Sequence, residues 1–508
     1  MSNQSFDYIV VGGGATGCVL VNRLSANEDI NVLLLEAGGP DSDSKIHDLN
    51  GFVQLWGSDV DWKFETEPQP GLNGRKIVIN QGRVLGGSGS IHAMMYVRGN
   101  RLNYDQWKTQ GCDGWSYADV LPYFKKSEDY ERGASEFHGV GGLLTVRVTP
   151  DPDAVSLPFQ MAAVEAGFNG PDWDYNGAQQ EDGAGPLQFN ITQDGQRCSS
   201  AVAFLTSILK RANLTVKTQA EVTRVLFEGT RAVGVEYLQN GQIQQVDAKC
   251  EVILSAGAFV SPKILMLSGV GPADHLRNLG IPIRADLSGV GQNLSDHLQL
   301  PVIFQAKIKL ADPTLLTGNV LFTRTRPGMN AAPPDLQIIF SPGVPSALSA
   351  AIPVPHPACI FVPILAQPYS RGWVRLRTAN LQDPPLINPN YLQSPSDVQV
   401  FVDAVNLVRK IADMPAFGDL NAGELVPGSN ADLETYIRNN ASTIWHPVGT
   451  CKMGRDAQSV VDPDLKVYGV EGLRVADASI MPTVPSGNTF AGCVMIGEKL
   501  ADQLLNSI

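Results

Sequence analysis

Tyr8-Ile9-Val10-Val11 runs directly into Gly12-Gly13-Gly14-Ala15-Thr16-Gly17, and this junction decides the fold. A short β-branched apolar run reads as a buried strand, and Gly12, Gly14 and Gly17 have G-x-G-x-x-G spacing. Gly12 makes the tight turn, Gly14 lets backbone approach a pyrophosphate, and Gly17 lets the next helix pack on the strand. That helix, over about Ala15 to Leu24, turns its N-terminal N–H groups toward the phosphate. A second strand, Val32-Leu33-Leu34-Leu35, ends in Glu36, where a ribose hydroxyl needs an acceptor. Strand, glycines, helix, strand and acid in this order predict a bound dinucleotide. They do not decide between a nicotinamide and a flavin.

The bulk numbers set limits. At 508 residues the chain is long enough for two or three domains. Its 43% hydrophobic and 18% charged content is that of a globular enzyme. A formal net charge of −13 argues against nucleic acid and anionic membrane as partners. No continuous apolar run of spanning length occurs, and Met1–Ser5 carries no Lys or Arg ahead of the first strand, so a cytoplasmic location is expected. The seven cysteines include no C-x-x-C pair and the histidines no H-x-x-x-H pair, so neither a disulfide framework nor a metal site is expected.

Further strand-like runs with βα punctuation occur at Leu214-Val216, Val222-Phe227, Ala232-Tyr237 and Glu251-Ala256. A helix is predicted through Ser261-Leu267, and another over about Thr489 to Leu505. Between roughly 300 and 400 the prolines thicken, and Gly372-Trp373-Val374-Arg375-Leu376 alternates as in an antiparallel sheet. The expected fold is therefore α/β. A Rossmann-like domain over 1–150, 197–298 and 462–508 holds an inserted α+β substrate domain, 151–196 and 299–461, built on an antiparallel sheet.

Four passages resemble one family, the glucose–methanol–choline (GMC) oxidoreductases. The first is the opening turn with Glu36-Ala37-Gly38. The second is Gly82-Arg83-Val84-Leu85-Gly86-Gly87-Ser88-Gly89-Ser90-Ile91-His92, followed by Tyr96-Val97-Arg98-Gly99. The third is Gly257-Ala258-Phe259-Val260-Ser261-Pro262, running to Ser268-Gly269-Val270-Gly271. The fourth is Trp445-His446-Pro447-Val448-Gly449-Thr450, with Ala476-Asp477-Ala478-Ser479 and Pro485-Ser486-Gly487-Asn488-Thr489 after it. The resemblance implies FAD, non-covalently held, rather than NAD. It implies cofactor contacts from Gly12, Gly14, Ala15, Thr16, Gly17, Glu36 and Ala37, and from Arg83, Gly87, Ser88, His92 and Ala93. It adds Val222, Ala256, Asp477, Ala478, Asn488 and Thr489. Relatives that attach flavin through a histidine in the second passage do so one residue before His92, where this chain has Ile91.

The resemblance also implies oxidation of an alcohol to an aldehyde. Hydride goes to flavin N5 and the hydroxyl proton to a base, with oxygen or another acceptor closing the cycle. His446 stands at the catalytic histidine position. Asn488 stands where the family has a second histidine or an asparagine, and it also reads as the cap of the last helix. Trp445 is expected to wall the substrate pocket, which favours a primary alcohol of benzyl or furfuryl type. Choline or aliphatic alcohols are the alternative, as are the lyase and light-driven decarboxylase branches; the last has Asn where His446 stands. Gly291-Gln292-Asn293-Leu294-Ser295-Asp296-His297 also matches the family, and its histidine is expected to be structural. His47, His138, His275 and His356 lie in no supporting pattern.

Overall fold

A computed structural model describes residues 4–148, 156–313, 315, 317–326, 328–346, 354 and 357–507; His356 lies outside them. The opening strand β1 (Ser5–Val11) pairs in parallel with β2 (Val32–Leu35) on one side and with the long strand Gln242–Leu254 on the other. Leu214–Lys217 extends the parallel set beyond β2. Ile9, Val10, Leu33, Leu34, Val252 and Ile253 are fully buried, as expected of strands covered on both faces. Helix α1 (Ala15–Leu24) packs on the C-terminal helix Phe490–Leu505, so the two ends of the chain share one layer.

The predicted strands at 222–227 and 232–237 are present, as Ala220–Glu228 and Arg231–Gln239. They do not alternate with helices. They run antiparallel to each other and onto the first half of Gln242–Leu254, whose second half pairs in parallel with Leu473–Val475. One strand thereby joins a hairpin to the dinucleotide sheet. The signal for this is the pair of Gly turns, Gly229 and Gly241, both at positive φ.

A second sheet has eight strands, all antiparallel. Its main path runs from Asn421–Val426 through Val302–Ala306, Ala358–Leu365, Leu336–Ser341 and Asn319–Thr323 to Gly183–Pro186. The short strands Leu298–Gln299 and Ser442–Thr443 join it at the Ala358–Leu365 end. The helix Pro395–Ala412 buries Phe401, Val405 and Val408 against one face. The alternating stretch at 372–376 lies elsewhere: Trp373–Arg375 forms a separate hairpin with Leu386–Asn388. Ahead of residue 462, Val448, Cys451, Met453, Val460 and Val461 already pack into the core of the first sheet. The loop carrying His446 is thus clamped between the two sheets. Among the described residues, no helix is long and apolar enough to cross a membrane.

The β1–α1 turn allows no bulk. Gly12 has φ +104°, and a Cβ there would sit 2.4 Å from the Ser255 carbonyl oxygen. A Cβ on Gly17 would sit 1.9 Å from the carbonyl oxygen of Gly12. Gly17→Ala is therefore expected to push α1 off β1 at a cost of about 1–3 kcal/mol or more. Purified protein should show a lower Tm and a lower flavin-to-protein absorbance ratio; unchanged values for both would refute the packing role.

Candidate active site

The two glycine-rich passages, the Gly257 turn and the His446 loop border one cavity of about 960 Å³. Gly12, Gly14, Ala15, Thr16, Glu36, Ala37, Arg83, Gly87, Ser88, His92, Ala93, Val222, Ala256, Asp477, Ala478, Asn488 and Thr489 all line it, with Trp445 and His446. Gly17 does not; it lies behind the turn, packed against Gly12.

The donors around the cavity fit an anionic dinucleotide. Three helices begin at its wall: α1 after Gly14, Gly257–Leu267 after Ala256, and Phe490–Leu505 after Thr489. None has a side-chain cap. Apart from Gly257 N–H, which Asp477 takes, their first N–H groups and dipoles are left to whatever fills the space. A Cβ on Gly14 would meet only the Ser255 carbonyl oxygen, 4.0 Å away, so the room there is kept for something outside the chain. Glu36 accepts from Gly13 N–H at 2.8 Å and Gly38 N–H at 2.7 Å, one bond on each carboxylate oxygen. Burial raises its pKa to about 7 against the pull of those two bonds. Asp477 accepts from Gly257 N–H, Ser261 Oγ and Ser479 N–H, so its carboxylate locks the edge of the cavity together.

At the chemical end, four residues form a chain. His446 Nδ1 lies 3.0 Å from His297 Nδ1, and His297 Nε2 lies 3.0 Å from the Ala366 carbonyl oxygen. A carbonyl can only accept, so His297 carries its proton on Nε2, and its Nδ1 accepts from Nδ1–H of His446. His446 Nε2 is therefore the bare, basic nitrogen. Asn488 Nδ2 donates to it at 3.1 Å, which agrees with that assignment. Burial, then the neighbouring His297 and His92, hold His446 well below the usual imidazole range. Burial also lowers His297, to about 4.

Asp296 fixes the backbone beneath this chain. It accepts from His446 N–H at 2.8 Å, from Thr443 Oγ1 at 2.6 Å and from the Tyr391 hydroxyl. Trp445 sits at φ +62°, an unusual conformation for an aromatic residue, and its N–H is held by Thr443 Oγ1 at 2.8 Å. Its ring lies 4.4 Å from that of Trp56, whose Nε1–H donates to the Ile91 carbonyl.

Two sequence expectations change. The helix cap is Thr489 rather than Asn488, whose amide is free to meet His446 and the Met95 sulfur. His297, expected to be structural, lies within hydrogen-bond distance of His446. The motif around it was visible, but nothing in it showed that residues 149 apart meet. Asp296 could have been found the same way, whereas Trp56 and Tyr391 carry no local signal.

The GMC oxidoreductase family model matches residues 6–299 in its N-terminal part and 368–497 in its C-terminal part. The human mitochondrial choline dehydrogenase is 41% identical, covering 99% of this chain and 90% of its own length. An alcohol dehydrogenase (acceptor) of Pseudomonas putida is 40% identical, covering 99% and 96%. The crystal structure of a pyridoxine 4-oxidase from Mesorbium loti superposes with a TM-score of 0.91 at 32% identity, covering 99% of both chains. The chain belongs to the GMC oxidoreductase family. It is an FAD flavoprotein, an oxidoreductase acting on CH–OH donors.

Replacing His297 tests the tautomer assignment. His297→Ala should slow flavin reduction at least ~10-fold, because His446 then loses the acceptor that keeps its proton on Nδ1. His297→Gln, which restores an acceptor, should recover part of the loss in the same stopped-flow measurement.

Proposed function

We propose that this enzyme oxidises uncharged primary alcohols bearing an aromatic or furan-type ring, with His446 Nε2 as base and Asn488 as the orienting partner. The observation that carries the substrate class is the state of the cavity's carboxylates. Among the described lining residues these are Glu36, Glu65, Glu67, Glu221 and Asp477. Glu36 and Asp477 are committed to backbone N–H groups. Glu65 pairs with Lys76 at 3.0 Å, Glu67 with Arg377 at 3.3 Å and Glu221 with Arg83 at 3.4 Å. No carboxylate is left over for a quaternary ammonium. Phe52, Trp56, Trp445, Ile303, Ile360 and Val362 line an apolar wall that suits a flat ring. Choline remains the rival reading, favoured by the names of the relatives and by the aromatic faces of Phe52, Trp56 and Trp445, which also suit a quaternary ammonium.

The bound FAD supplies the hydride acceptor. The substrate hydroxyl enters between Asn488 and His446, accepting from Nδ2–H and giving its proton to Nε2. His297 keeps Nδ1 protonated throughout, so Nε2 is the nitrogen left to take that proton. The apolar wall keeps water away from the site. His446→Ala should lower the rate of flavin reduction by ~10²–10⁴-fold, about 3–5 kcal/mol of barrier; a change under about fivefold would sink the assignment.

The depressed pKa of His446 fixes a sign. Its lone pair persists as pH falls and is lost only when pH reaches the lowered value. kcat/KM for a neutral alcohol should thus show no acid limb at the ordinary histidine pKa, and an apparent pKa near 6.5 would contradict this.

Substrate class is read by anaerobic bleaching of the flavin with benzyl alcohol, furfuryl alcohol and choline. The ring alcohols should reduce it with the higher second-order rate constant; a higher value for choline would overturn the proposal. Readmitting air then separates an oxidase from a dehydrogenase. Trp56→Ala should raise KM for benzyl alcohol roughly fivefold to tenfold, the worth of an aromatic pair.

A further inference from the structure

Among the described residues two arginines are wholly buried, and the protein treats them differently. Arg98 pairs with Glu128 at 2.6 Å, the usual settlement for a charge taken out of water. Arg197 has only neutral partners. Its Nε donates to the Ile46 carbonyl at 2.6 Å, one terminal nitrogen to the His92 carbonyl with His92 Nδ1 at 3.3 Å, and the other terminal nitrogen to nothing. The carboxylate it feels is that of Asp48, which is exposed. Burial pushes its pKa down to about 9, which leaves it charged at neutral pH. An uncompensated buried cation costs several kcal/mol, so a fold that retains one has an anion to meet it.

The surroundings say where that anion arrives. His92 Nδ1 accepts from Met94 N–H at 2.7 Å as well as facing Arg197, so the ring is neutral. Burial and Arg197 hold its pKa at about 3. That ring lines the cavity, edge-on to Phe490 at 4.7 Å, and lies within electrostatic reach of His446. Arg197 therefore backs the cavity wall through His92, on the side that faces His446.

We infer that Arg197 is a standing positive charge that raises the electron affinity of the flavin. When an alcohol is oxidised, hydride carries two electrons and one proton to FAD, and the hydroxyl proton stays on His446. The cofactor thus gains one net negative charge, and Arg197 meets it with no counter-ion to displace and no reorganisation. Arg197 does not touch the reacting atoms; it sets the field and positions His92.

The test uses the flavin-loaded enzyme, its flavin-to-protein ratio measured first so that loss of cofactor is distinguished from loss of the effect. In Arg197→Gln the equilibrium constant for two-electron reduction should fall at least tenfold, about 30 mV in midpoint potential. The Kd for sulfite, an anion that adds reversibly to oxidised flavin, should rise at least tenfold. Arg197→Lys should stay within threefold of wild type on both. A Gln variant with full flavin within threefold of wild type overturns the proposal. So does a Lys variant displaced as far as Gln, which would assign the effect to hydrogen bonding rather than charge. If Arg197→Gln retains no flavin, the wild-type enzyme decides: saturable bleaching by millimolar sulfite supports the proposal, and its absence overturns it.

Discussion

The site depends on one tolerance, the approach of backbone to backbone at the β1–α1 turn. Gly12 lies directly on the Ser255 carbonyl and Gly17 on the Gly12 carbonyl. Gly87 closes from the other side, where a Cβ would lie 2.7 Å from Gly14 Cα. Since α1 packs on the C-terminal helix, and the Gly257 helix follows Ser255, this contact sets where three uncapped helix starts converge. At this turn the anion-attracting character of the cavity follows from the packing of small residues, and Arg197 adds a positive charge elsewhere, behind His92.

The second sheet does different work. Through Leu298–Gln299 and Ser442–Thr443 it holds two segments that run straight into Asp296-His297 and Trp445-His446. Two short paired strands thus fix the spacing of the two histidines, and Asp296 ties their backbones together. The left-handed turn at Trp445 is the strain taken on to aim His446 at Asn488.

Much of this was legible in the sequence because it is local. The strand, glycine turn, helix and acid of the first forty residues carry their geometry in consecutive residues. The strands of the hairpin at 220–239 carry no signal that separates them from βα units, because a buried strand looks alike in either setting. The stretch at 372–376 alternates correctly but pairs with Leu386–Asn388, since pattern predicts a strand and not its partner. Asn488 follows the family position of an orienting partner, whereas its cap reading rests on a local rule that misses the helix start by one residue, at Thr489. His297 and Arg197 act by meeting residues about a hundred or more positions away, which no periodicity records.

The histidine pair has a consequence for traffic. Its far end is the amide carbonyl of Ala366, a group that cannot carry a proton onward. A proton received at His446 Nε2 therefore has a dead end behind it and must leave by the side it came from. Aldehyde and proton therefore leave from the same side of His446, the side that faces Asn488 and the cavity.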